Sequence, residues 1–276
     1  SIIQRIDYSN DTATAVEKGN LALGVGEAGS SGNSFFGYVF GGYSPKRTTV
    51  QRIEYVNDTA TALLRGSLNQ QRRHVKGTGN KDFGYVMGGN YPGKRSDVER
   101  IDYSNDSATP LIRGDLTGTT YRNTAVGNQN FGYVTITPSP YYSTVDRVDY
   151  SNDTATAVAK GPLSVARNQL AATGNQSFGY FGGGYAGSIL STVDRIDYSN
   201  DTATAAPKGP LSYNAADLNA TGNTSFGYFA GGFPAISTID RVDYSNDTAT
   251  ASPKGPLSDG KRQISGFSAA ANALPQ

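Results

Sequence analysis

Short stretches in which β-branched or aromatic residues alternate with polar ones run through the whole chain, and none has helical spacing. Ser191-Thr192-Val193-Asp194-Arg195-Ile196-Asp197-Tyr198 is one of them. Its period of two reads as a half-buried strand. Ahead of it, Phe178-Gly179-Tyr180-Phe181-Gly182-Gly183-Gly184-Tyr185 reads as a strand ending in a glycine kink. Behind it, Ser199-Asn200-Asp201 reads as a turn, because Asn and Asp bond nearby backbone amides. Thr202-Ala203-Thr204-Ala205 is expected to be the next strand, ended by Pro207-Lys208-Gly209-Pro210. Leu218 to Thr221 is expected to be a fourth, closed by Gly222-Asn223.

This unit is written almost six times. Its marker is an Arg, an aliphatic residue, an acid and a Tyr, beginning at Arg5, Arg52, Arg100, Arg147, Arg195 and Arg241, with spacings of 47, 48, 47, 48 and 46 residues. Four strands in a period of that length predict a propeller blade. One blade cannot hide both faces, whereas a ring of blades can. The expectation is one all-β domain over 1–276: a six-bladed β-propeller with four-stranded blades. From Arg241 through Gln276 and on to Arg5 the circular distance is 40 residues, close to one period. The N- and C-terminal strands are therefore expected to share one blade. The C-terminus would supply its innermost strand and part of the second, with Asn272 at the place of Phe226.

The order strand, double glycine, variable loop, alternating strand and Asp-Tyr turn resembles the kelch repeat. Gly41-Gly42, Gly88-Gly89, Gly183-Gly184 and Gly231-Gly232 precede Val50 to Tyr55, Val98 to Tyr103, Val193 to Tyr198 and Ile239 to Tyr244. The wording Asp-Tyr-Ser-Asn-Asp-Thr-Ala-Thr-Ala is also similar to kelch-like repeat proteins of marine phages and bacteria. The resemblance implies a propeller whose inter-blade loops bind partners. Two features depart from it: the chain has no Trp, and Thr135-Ile136-Thr137-Pro138 replaces the double glycine in the third repeat.

Composition then narrows the function. The balance of 24 basic and 23 acidic side chains leaves a net charge of +1, which provides no field for nucleic acid. There is no Cys, so thiolate and disulfide chemistry are excluded. A single His, His74, rules out a multi-histidine metal site or a conventional triad at several centres. No catalytic set stands out, and neither a metal nor a cofactor is expected. No long apolar stretch predicts membrane insertion. The chain opens on Ser1 rather than Met, which points to processing, trimming or an incomplete chain.

The recurring acids and arginines are expected to be structural. The six marker arginines suit a charge-assisted belt with acids of adjacent blades. Asp11, Asp58, Asp106, Asp153, Asp201 and Asp247 suit turns better than a Ca²⁺ loop. The Asn-Asp-Thr or Asn-Asp-Ser patterns from Asn10, Asn57, Asn105, Asn152, Asn200 and Asn246 recur with the repeat, as do those headed by Asn175 and Asn223. They would matter as glycosylation acceptors only in a eukaryotic secretory setting.

The candidate ligand-binding residues are the basic positions before glycine and the loop aromatics. The former are Lys18, Arg65, Arg113, Lys160, Lys208 and Lys254; the latter are Tyr43, Tyr91, Tyr141, Tyr142, Tyr185 and Phe233, beside Lys46, Arg47, Lys94 and Arg95. On one face these would stack on sugar rings and bind acidic groups. A separate asymmetric cluster, Arg72, Arg73, His74 and Lys76, stands where the equivalent offsets give Val25, Gly26, Glu27 and Gly29 in the first blade and Ala215, Ala216, Asp217 and Asn219 in the fifth, and marks either a site near the central channel or neutral drift. The leading expectation is a non-enzymatic, extracellular or virion-surface module with multivalent carbohydrate binding. The alternative is a structural or protein-interaction propeller without glycan binding.

Overall fold

A computed structural model describes residues 2–43, 47–136, 141 and 143–268. Lys46, Tyr142, Thr137, Pro138 and Asn272 of the sequence reading lie outside the described residues. The fold is an all-β propeller. A two-stranded sheet comes first, β1 (Ile2–Arg5) with β2 (Val16–Asn20). The first blade is β3 (Gly29–Gly32), β4 (Phe36–Phe40), β5 (Thr49–Glu54) and β6 (Leu63–Ser67). The second is β7 (Lys76–Gly79), β8 (Phe83–Met87), β9 (Arg95–Asp102) and β10 (Leu111–Thr120). The third is β11 (Ala125–Gly127), β12 (Phe131–Thr135), β13 (Val145–Asp149) and β14 (Val158–Lys160). The fourth is β15 (Ala171–Gly174), β16 (Phe178–Gly182), β17 (Val193–Asp197) and β18 (Ala206–Lys208). The fifth is β19 (Asn219–Gly222), β20 (Phe226–Ala230), β21 (Ile239–Asp243) and β22 (Ser252–Pro253). Every pairing is antiparallel between neighbours in sequence, and the first strand of each blade lies innermost.

The expected six four-stranded blades are thus corrected to five among the described residues, where β1 and β2 form a two-stranded sheet. Ile264 to Phe267 runs between β19 and β3 without joining a ladder. Side chains hold it instead: Asn219 donates to the Ile264 carbonyl, Ser30 to that of Gly266, and Ser265 to that of Ala28. The physical reason is also in the sequence. By repeat offset Asn272 stands where Phe226 does, so the Phe-Gly-Tyr of the second strand has no counterpart there.

A second correction concerns the outer strand. Thr202 to Ala205 continues the turn, and the strand begins only at Ala206. Asp197 accepts from the Ser199 amide at 2.9 Å and starts a single 3₁₀ turn at Tyr198–Asn200. The local carboxylate–amide bond competes successfully with the ladder. Leu218–Thr221 is recovered, shifted by one residue, as the innermost strand of the next blade.

The core lies between blades. Tyr38, Tyr85, Tyr133, Tyr180 and Tyr228 of the second strands are fully buried. They stack on Tyr103, Tyr150, Tyr198, Tyr244 and Tyr8, each on the following sheet, at 4.4–4.8 Å between ring centroids. Each such stack contributes about 0.5–1.5 kcal/mol beyond its buried area. These tyrosine pairs fill the seams in a chain without Trp. The double glycines take positive φ, +66° and +103° at Gly41 and Gly42, which L side chains rarely adopt.

Candidate functional site

Two ends of the sheets offer chemistry, and they differ in kind. At the end carrying the 3₁₀ turns, each turn aspartate is a junction. Asp201 accepts from the Tyr133 hydroxyl at 2.9 Å and from Arg147 at 2.8 Å, and pairs with Lys160 at 3.1 Å. The same arrangement recurs at Asp106, Asp153, Asp247 and Asp11. Burial alone would raise the carboxyl of Asp201, but Tyr133, Lys160 and Arg147 overcome it and hold it below its ordinary value. Tyr133 itself is raised, by burial first and by the neighbouring carboxylate next. Each arginine also lies over a phenylalanine of its own blade, as Arg195 does over Phe178 at 4.2 Å. The belt foreseen from the sequence exists. Its acid is the turn aspartate of the next repeat.

This is where the structure places the basic candidates. Lys18, Arg65, Arg113, Lys160, Lys208 and Lys254 pair with Asp58, Asp106, Asp153, Asp201, Asp247 and Asp11 at 3.1–3.5 Å. The aromatic candidates lie at the opposite end of the strands, in the loops after the second strand. The two sets are not brought together.

At that opposite end the central channel opens. Glu27, His74, Arg122, Gln169, Asp217 and Gln263 occupy equivalent places just before each inner segment, all with φ of 50–58°. Non-glycine residues there are uncommon, and their recurrence has a cause. The left-handed turn aims an amide at the preceding sheet. His74 donates to the Glu27 carbonyl, Gln169 to Arg122, Asp217 to Gln169 and Gln263 to Asp217, at 2.8–3.2 Å. Backbone bonds thereby form most of a belt around the mouth, and the side chains are left for other uses. All six line a cavity of about 30 Å³, together with Lys76. That is room for about one water. Below it, Ser30, Gly77, Ala125, Ala172 and Ala220 line the narrow channel.

The loop aromatics rim this mouth. Tyr43, Tyr185 and Phe233 pair through the backbone with Gly26, Asn168 and Ala216, each the residue before a ring member. Arg73 lies over Tyr43 at 5.2 Å and Lys94 over Tyr121 at 4.9 Å. Tyr141 meets Tyr185 edge-on at 6.0 Å. Tyr91 sits in the loop after β8 with its amide bonded to the Gly93 carbonyl. Tyr43 and Phe233 remain about half exposed, at 45% and 46%.

Electrostatics at the mouth are uneven. Burial, then Arg122, Arg73 and Lys76, push the His74 imidazole down to about 3, so it stays neutral. Burial raises the Glu27 carboxyl, with Asp217 adding to it and Arg73 and Arg122 opposing. Burial lowers Lys76 to about 8. Among the described residues no group of three or more metal-ligating side chains occurs. No helix among them is long and apolar enough to cross a membrane.

Of the asymmetric cluster, the structure keeps His74 and Lys76 at the mouth but takes Arg72 away. Arg72 is fully buried, bonded to Glu99, to Asp97 at 2.5 Å and to the Gly88 carbonyl at 3.0 Å. Arg167 is buried likewise against Asp194 at 2.9 Å. Sequence reasoning missed Arg122, Gln169 and Gln263. Their signal was positional: with Glu27, His74 and Asp217 they fall at intervals of 46–48 residues.

The chain matches no family model and no curated protein. Among solved structures it is similar to that of YjhT, with a TM-score of 0.73 and 12% sequence identity, over 90% of this chain and 88% of that one. At that identity the likeness speaks for the architecture alone, and with the strand order above it establishes this chain as a β-propeller.

Proposed function

We propose that the channel-mouth face is a non-enzymatic carbohydrate-binding surface, of the kind an extracellular or virion-borne adhesin presents. The observation that carries this reading is the ring of six polar side chains of four chemical types, carboxylate, imidazole, guanidinium and amide, rimmed by Tyr43, Tyr185 and Phe233. Aromatic faces stack on the C–H surface of a sugar ring, and amide, carboxylate and guanidinium groups bond its hydroxyls. The cavity is too small to enclose a sugar, so the surface would grip a glycan from one side. Shallow contacts of this kind gain strength from multivalent presentation. The ring is mixed, which favours one composite site at the mouth with weaker contacts on the outer loops.

A glycan-array screen at low and physiological salt tests the reading. Binding by the wild type that is lost in Tyr185→Ala and Asp217→Ala, with unchanged melting, supports it. Loss of binding with salt would point to Arg73, Arg122 and Lys76 as the main contacts. Silence across the array favours a structural or protein-binding propeller. Turnover of a bound glycan, abolished by Glu27→Gln, overturns the non-enzymatic part.

A further inference from the structure

Most lysines and arginines among the described residues pair with an Asp or Glu. Lys76, Lys94, Arg122 and Arg262 have no carboxylate within 4.0 Å among those residues, and all four stand at the channel mouth. Arg122 is a ring member, and Lys76 lines the cavity beside it. Lys94 lies over Tyr121, the residue before Arg122, at 4.9 Å. Arg262, the residue before Gln263, lies over Phe233 at 5.7 Å. Arg73 belongs with them, over Tyr43 at 5.2 Å and no closer than 3.7 Å to Glu27. Against these cations the ring holds two carboxylates, Glu27 and Asp217. His74 registers the resulting field, since Arg122, Arg73 and Lys76 add to burial in keeping its imidazole neutral.

Uncompensated carboxylates collect at the opposite end, on the 3₁₀ turns and their equivalents. Asp7, Asp102, Asp149, Asp197 and Asp243 each accept a serine hydroxyl at 2.6–2.7 Å and take part in no ion pair among the described residues. The serine hydroxyl is the main cause that holds Asp7, Asp102, Asp197 and Asp243 below the ordinary carboxylate value. They are therefore ionised at neutral pH. The net charge of +1 conceals a separation along the propeller axis, with free cations at the mouth and free carboxylates at the turns.

We propose that the mouth selects glycans that carry anionic substituents, carboxylate or sulfate; this rests on the carbohydrate reading of the same face. Each rim pair sets a ring face for a sugar beside a cation for its substituent: Tyr43 with Arg73, Tyr121 with Lys94, and Phe233 with Arg262. Lys76 and Arg122 stand further in. Burial lowers the Lys76 ammonium to about 8, and the Arg122 Nε is buried without a hydrogen-bond partner. An anionic oxygen placed there offsets the cost of holding both cations away from water. The cavity between them has room for about one water, so it admits a substituent oxygen and no sugar ring.

The test is calorimetric titration of the intact protein with dextran, carboxymethyl-dextran and dextran sulfate at low and physiological salt. One or both charged polymers are expected to bind at least about tenfold tighter than dextran, with affinity falling as salt rises. A preference between the two identifies the substituent. Lys94→Gln and Arg262→Gln, both at exposed positions, should each weaken that binding about threefold at low salt without changing the melting temperature. Lys81→Gln removes an exposed base at the turn end and should leave binding unchanged. Equal binding of all three dextrans, or of none, overturns the proposal. So does polyglutamate that binds as tightly as the charged dextrans, since charge alone would then be read. In any of these cases, neutral glycans that bind on the array leave the carbohydrate reading standing, and a silent array removes both.

Discussion

Asp201 shows how much rests on single residues, since three groups from the preceding blade converge on its carboxylate. Asp201→Ala leaves Arg147 and the Tyr133 hydroxyl without their partner and is expected to cost about 3–5 kcal/mol in denaturant unfolding. Lys160→Ala removes a more peripheral pair and should cost at most about 1 kcal/mol. A drop in glycan binding in Lys160→Ala at unchanged stability would show a ligand role instead. His74 gives a pH signature. Its pKa falls from the ordinary 6.5 to about 3 on folding, so the unfolded chain binds the extra proton. The stability it provides is therefore complete above about pH 6.5 and lost as pH falls toward 3. Comparing wild type with His74→Gln between pH 7 and 4 should show a shallower decline in the variant. The aspartate turns and arginine belt were legible because every repeat prints them. The fate of Arg72 was not, because its partners Asp97 and Glu99 lie across a loop of unpredictable course.

At the scale of the element, the outer strand is governed by a seam that only glycine fits. A Cβ on Gly161 would meet the Ala203 carbonyl oxygen at 1.8 Å, and Gly19, Gly66, Gly114, Gly209 and Gly255 face the same obstacle at 1.9–2.2 Å. Backbone cannot retreat as a side chain can, so Gly161→Ala should cost at least about 2–3 kcal/mol. Ala203 itself is exposed, and Ala203→Leu should change stability by less than about 0.5 kcal/mol. A melting comparison of the two variants checks both. The alternating pattern located the second and third strands well. It misplaced the outer strand because Thr202-Ala203-Thr204-Ala205 also alternates, and a carboxylate-anchored turn is a local competitor that periodicity does not register. The left-handed ring was illegible for a related reason: a positive φ leaves no mark in the sequence when the residue is Gln or Glu. Gln169→Gly should relieve that strain and raise stability by up to about 1 kcal/mol. The same change removes one ring side chain, so a gain in melting temperature with weaker glycan binding is the expected pair of outcomes.

At the scale of the molecule, the ring closes through the sheet of β1 and β2 and through the segment from Ile264 to Phe267. Phe267 stands where the other inner strands place Ser31, Thr78, Val126, Thr173 or Thr221, and it fills the space over Gly37. Phe267→Ala should cost about 1–3 kcal/mol, less than a fully buried Phe. Faster exchange of the β1 and β2 amides than of β15 to β18 should accompany it. A stable variant with unchanged exchange would show that closure lies elsewhere. The period made the propeller legible. It overstated the blade count, because arithmetic on chain length counts residues and does not register that the last repeat lacks Phe-Gly-Tyr. The inter-sheet contacts share one sense of rotation: among the described residues the arginine and outer-strand base of each repeat reach the aspartate of the next, joined by a second-strand tyrosine at Asp106, Asp153, Asp201, Asp247 and Asp11. Each repeat is thus plug on one side and socket on the other. A gene that gained or lost one copy by unequal recombination would encode no new kind of interface, so repeat number in such a lineage is free to drift until the geometry of closure stops it.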